Sequence, residues 1–171
     1  MGHAAVNELL YLLDLGFEGN PEHSLIANLD SVTEADWRRK PDGGGRSIRN
    51  IVMHAGVAKY VYADFAFGQA TLQWDRAMRE AAAGAETLVE ARVWLAAGHA
   101  ILRAGVASLG DEDLVQRRPV HYGLPEVART VIATMVQHDL YHAGEINHLR
   151  ALLQGTDAWP GQQAKRAGEP R

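Results

Sequence analysis

EVARTVIATMVQHDLYHAGEINHLRALLQ, residues 126–154, contains no proline, and its apolar side chains recur at helical spacing. Leu124, Ala128, Val131, Met135, His138, His142, Glu145, Leu149 and Leu152 are separated by alternating steps of four and three, which traces one seam facing neighbouring helices. Two histidines and a glutamate interrupt this apolar stripe. Residues four apart on a helix stand one turn apart, roughly 6 Å along the axis, so the imidazoles of His138 and His142 can converge on one metal ion. HxxxH pairs offer this geometry in zinc sites. A lone seam histidine is more often a hydrogen-bonded core residue. Two at this spacing, with a carboxylate one turn on, tip the balance toward metal, because ionisable groups buried in one layer are costly unless paired or coordinated.

Working outward, the sequence predicts three more long helices. Ala4 to Phe17 carries Val6, Leu9, Leu10, Leu13 and Phe17 in an amphipathic pattern. Gly19-Asn20-Pro21 interrupts it, and a second helical piece from Pro21 to about Asp30 reads as the continuation of one broken helix. Residues 31–46, with Pro41-Asp42-Gly43-Gly44-Gly45, read as a loop without regular structure. Ser47 is a good N-cap for a helix running to Phe67 and stopped by Gly68. Its seam, Ile51, His54, Ala58, Val61 and Phe65, contains a third histidine. From Gln69 to Ala85 the pattern weakens, with a short turn at Trp74-Asp75 and an alanine run too poor in large side chains to pack strongly. Glu86 to Leu109 is the next helix. Leu88, Leu95, Leu102 and Leu109 recur every seven residues, and Ala91, Gly98 and Gly105 between them suit close helix packing.

The expectation is therefore an all-α four-helix bundle over residues 1–155, followed by a flexible tail over 156–171. The 17 residues from 69 to 85 can extend to roughly 56 Å, longer than either flanking helix, which permits a crossover and an up-down-down-up order. In that order the histidines can be assigned levels. His54 lies seven residues after Ser47, about 10 Å from its end of the bundle. Counting from the paired ends puts the midpoint of His138 and His142 opposite Trp94, close to the level of His54. His99 falls about 7.5 Å away along the axis and is a poor ligand. His148 lies six residues after His142, roughly 240° around the helix, and faces away from the seam. His23 reaches the same level in the first helix, either looking into the site or sitting at the surface.

A formal net charge of −4 leaves no electrostatic surplus toward nucleic acid or an anionic membrane. No apolar run approaches a membrane span, and no secretory signal is legible. The chain has no cysteine, which excludes disulfides, thiolate ligands and a protein-borne thiol nucleophile, and a cytoplasmic setting is the default expectation. Two other metal motifs fail. Asp139 stands where the HExxH of zincins has its glutamate, and Glu145-Ile146-Asn147-His148 is the only ExxH, whereas di-iron carboxylate bundles need two.

His54 on the second helix with His138 and His142 on the fourth resembles the metal triad of the DinB-like superfamily of small four-helix-bundle proteins. The string His-Asp-Leu-Tyr-His-Ala-Gly-Glu-Ile-Asn-His-Leu-Arg, Ser24-Leu25, Trp37 and the Ser47-Ile48 helix start extend the likeness over roughly residues 5 to 155. Despite the name, this is not the DNA polymerase family. The resemblance implies a three-histidine divalent site, commonly zinc or nickel, and often a homodimer. Several relatives are thiol S-transferases or isomerases that use mycothiol, bacillithiol or glutathione, while many have no known activity.

The resulting expectation is a metal-dependent transferase acting on a small-molecule substrate, its thiol supplied by a cosubstrate and activated at the metal. Glu145, the candidate catalytic residue, can accept the proton or hold a ligand histidine, or it can simply pair with Arg150 or His148. Water in place of the thiol makes the same site a hydrolase. A site that binds metal without an exchangeable water makes the chain a non-catalytic metal-binding or stress-response protein.

Overall fold

The structure is a computed structural model in which residues 2–158 are described. Helix α1 spans Ala4–Asp14 and runs into one π-helical turn, Leu15–Gly19. One further turn, α2, spans Glu34–Trp37, followed by α3 at Ile48–Phe67, α4 at Trp74–Gly84 and α5 at Leu88–Ala107. A two-residue ladder pairs β1, Arg117–Arg118, with β2, Glu126–Val127, antiparallel, and leads into α6 at Ala128–Gln154. The fold is all-α with almost no sheet. The expected flexible tail lies outside the described residues from 159 onward, while Ala158 is buried.

The long helices start and stop for local reasons. Ser47 accepts a hydrogen bond from the Asn50 N–H while Asn50 accepts from the Ser47 N–H, a capping box that opens α3. Thr87 and Glu90 do the same for α5. Gly155, at φ 68°, adopts the left-handed conformation that ends α6.

Three expectations are corrected. The Pro21–Asp30 segment is a series of turns with one 3-10 turn at Ala27–Leu29. The N–H groups of Leu25 and Ile26 donate to the carbonyls of Gly16 and Phe17, so the segment folds back on the π-turn. The 31–46 loop contains α2, opened by a Thr33/Asp36 capping box and anchored by fully buried Trp37, whose Nε1 donates to the Glu86 carbonyl at 3.2 Å. Residues 74–84 form a real helix. Its small side chains are the reason it packs: Ala77, Ala81 and the following Ala85 are buried against the core, with Trp74 and Met78 flanking them.

Directions follow from side-chain pairs. Gly56 of α3 faces Trp94 of α5, while Tyr60 and Phe67 of α3 face Gly98 and Gly105, so the two helices run in parallel. A Cβ on Gly56 would lie 2.1 Å from Trp94 Cζ3, and one on Gly98 2.7 Å from Tyr60 Cε2. The glycines thus admit aromatic rings between the helices. α6 runs against α3, with His54 meeting His138 and His142 at one level and Ala66 packing with Val131 further along. α1 runs against α5, since Asp14 meets His99 and Arg103 while His3 meets Leu109. The α6 seam is covered from Ala128 to Leu149, whereas its expected ends, Leu124 and Leu152, are 84% and 59% exposed.

Candidate metal centre

α3 lies between α5 and α6 and is buried on several faces, so its second turn points His54 into the groove against α6. On α6, His138 and His142 stand one turn apart and face it. His138 Nε2 lies 3.2 Å from His54 Nε2 and 3.1 Å from His142 Nε2. One ligand atom from each of the three lies within 4.8 Å of the others, and this is the group of potential ligands found among the described residues. Two nitrogens bound tetrahedrally at 2.0–2.1 Å from a zinc ion stand about 3.3 Å apart. The two separations from His138 fit such an ion, and three neutral imidazoles are a known donor set for one.

The electrostatics keep the lone pairs available. Burial pushes His138 down to about 3, helped by the neighbouring His142, His54 and Lys59. His54 is lowered by burial first and then by His142 and Arg46, against Glu145. His142 is lowered by burial, with its hydrogen bond to Glu145 opposing. Glu145 Oε2 sits 2.6 Å from His142 Nδ1. With Nδ1 donating to the carboxylate, the Nε2 lone pair points into the cluster, as a carboxylate partner does for metal-bound histidines. Glu145 is thereby held by a candidate ligand rather than by Arg150, which donates to Asn147 Oδ1 at 2.8 Å.

The other histidines stand elsewhere. His23 and His148 are exposed. His99 is buried outside the cluster, its ring stacked on Phe17 at 3.9 Å and its Nε2 3.1 Å from Asp14 Oδ1. Tyr141, 66% exposed, meets the His142 ring edge-on at 5.1 Å.

Two features escape the sequence reading. Lys59, five residues after His54, and Asp139, next to His138, form an ion pair of 2.6 Å with no side-chain exposure. Burial pushes the carboxyl up and the ammonium down, and each charge pulls the other back. Lys59 Nζ also lies 3.5 Å from His99 Nδ1, so a polar chain leads from Asp139 through Lys59 and His99 to Asp14 and Arg103 at the surface. Lys59 is the only lysine or arginine between Arg49 and Arg76, which is the signal that could have singled it out. The second feature is His121, in the connection before α6. It stacks on Trp74 at 5.2 Å, and both border a cavity of about 300 Å³ that reaches His54 and His138. On the other side of the histidine layer, a cavity of about 370 Å³ is bordered by Arg46, Ile51 and Glu145.

Among the described residues, no helix is long and apolar enough to cross a membrane. The family model described as the DinB superfamily matches residues 21–146, well over half of the chain. No curated protein matches it.

Proposed function

The chain belongs to the DinB superfamily, and from that membership and its histidine cluster we propose that it is a divalent-metal-dependent transferase using a low-molecular-weight thiol of the mycothiol, bacillithiol or glutathione type. The observation that carries this reading is the convergence of His54, His138 and His142 nitrogens, with Glu145 fixing one of them, between two open cavities. Zinc or nickel held there supplies a Lewis acid that lowers the pKa of a bound thiol or water. The chain's own residues do the rest. His54, His138 and His142 hold the ion. Glu145 keeps His142 in the tautomer that offers Nε2, and from the rim of the Arg46 cavity it accepts the proton released by the thiol. The Lys59–Asp139 pair ties α3 to α6 beside the cluster. Because the chain has no cysteine, the sulfur comes from the cosubstrate. A homodimer and a cytoplasmic setting are carried over from the family likeness and the composition.

The test is elemental analysis of protein purified without a metal-affinity step, followed by cobalt or nickel substitution and titration with each thiol. Close to one ion per chain and a visible-spectrum change with one of the thiols are expected. A bound ion whose spectrum ignores all three thiols refutes the transferase reading. Release of hydrolysed product without thiol then points to a hydrolase, and absence of turnover to a metal-binding protein.

A further inference from the structure

We propose that the cavity between Trp74, His121 and Tyr62 binds a planar, conjugated molecule without a positive charge, which is the acceptor of the thiol. This rests on the transferase reading and names the second substrate's class. The cavity, about 300 Å³, is bordered by His54, Ala58, Tyr62, Trp74, His121 and His138, without an acidic residue, lysine or arginine. Its size falls at the low end of small-molecule sites, roughly 300–1,000 Å³.

The walls are aromatic and mutually fixed. The Trp74 ring lies 5.2 Å from that of His54 and is nearly parallel to His121, at 19°. Tyr62 and Tyr122 both meet His121 edge-on, each at 5.0 Å. Such faces and edges favour a flat π-system in offset or edge contact. A cation placed there would be desolvated with no carboxylate beside it. Ala58 leaves room at the floor. The loop that carries His121 is not free to drift: the β1–β2 ladder closes it, the Ala128 N–H donates to the Gln116 carbonyl, and Val120 is buried with Ala66 and Val131. His121 Nδ1 is buried and has no hydrogen-bond partner in the protein.

Charged residues border the cavity on the other side. Arg46 and Glu145 border the second cavity, beyond the histidine layer along α3 and α6. A hydrophilic thiol suits that side, and an apolar planar acceptor suits the aromatic side. Addition of a thiol across an activated double bond balances without further reactants. One S–C bond forms, the π bond breaks, and the thiol's proton ends on the adjacent carbon.

The probe is trans-cinnamamide, with 3-cyclohexylpropanamide as its non-planar counterpart, each titrated into metal-loaded wild-type protein by calorimetry and ligand-observed NMR. Cinnamamide is expected to bind at least tenfold more tightly than the cyclohexyl amide. His121→Ala is expected to weaken it roughly tenfold while metal content and the thiol-induced cobalt spectrum stay unchanged, and Arg46→Ala to leave it unaffected. Equal affinity for the two amides, no cinnamamide binding at millimolar concentration, or full affinity in a folded His121→Ala variant each overturns the proposal. The wild-type comparison of the two amides decides the matter where a variant does not fold. Cinnamamide binding to a protein whose cobalt spectrum ignores thiols keeps the planar-ligand pocket and overturns the transferase reading alone.

Discussion

Replacing Lys59 by methionine removes one member of an ion pair that has no exposure on either side chain. Methionine keeps most of the stem's length, so the loss is chiefly one of charge and hydrogen bonding. What remains is the Asp139 carboxylate, whose Oδ2 loses its 2.6 Å contact while Oδ1 already has no partner. Breaking a buried pair in this way costs about 3–5 kcal/mol. In a domain of this size each kcal/mol moves Tm by about 2–4 °C, so a fall of about 6–20 °C is expected.

The loss should depend on pH. Without Lys59, burial, the largest influence on Asp139, is opposed by His142 alone and holds the folded pKa above the unfolded value of about 3.9. A carboxyl raised in this way is accommodated below the unfolded pKa, and stability is lost as pH rises toward the folded value. The deficit relative to wild type should therefore be smaller at pH 5 than at pH 8. In the double variant Lys59→Met/Asp139→Leu no buried charge remains, and most of the stability should return. Urea denaturation of the three proteins at both pH values is the assay. A single-variant deficit under about 1 kcal/mol at pH 8, or one equal at both pH values, would refute the reasoning.

Alanine at His54, His138 or His142 should each sharply reduce metal content by elemental analysis, while His148→Ala keeps full stoichiometry; full retention in His54→Ala would remove it from the triad. Glu145→Leu should weaken metal affinity by about 10- to 100-fold in competition with a chelator. Glu145→Gln, which keeps an acceptor for His142 Nδ1, should retain metal and lower turnover by about 10²-fold or more, and unchanged turnover would rule out a proton-accepting role. His99 is held down at about 4 by burial first and by Lys59, against Asp14. As pH falls below the ordinary 6.5 the unfolded chain takes a proton that the folded chain does not, so stability drops between pH 6.5 and 4. Wild type should lose about 2 kcal/mol more than His99→Gln between pH 7 and pH 5 in denaturant titrations, and parallel losses would show that His99 is not buried neutral.

Residues within one turn of each other determined a good deal without any tertiary information. Ser47 and Gly68 bound α3 because caps act on the nearest free N–H and C=O groups. His138 and His142 share a face because helical geometry puts residues four apart in register, and regular rise along parallel and antiparallel helices was enough to bring His54 to their level. α2 was legible in principle from Thr33-x-x-Asp36, a local signal hidden by the glycine-rich stretch after it. The remaining features depend on which surfaces meet. α4 is weak as an isolated pattern, and it packs because α3 leaves room for a helix faced with alanines. Leu25 and Ile26 direct their N–H groups to carbonyls about nine residues back, a choice that exists only once the chain has turned. Lys59 and Asp139 lie 80 residues apart, and each as an ionisable side chain argues against burial. Together they are buried, because desolvating either one is tolerable only where the partner helix delivers the opposite charge to within hydrogen-bond distance.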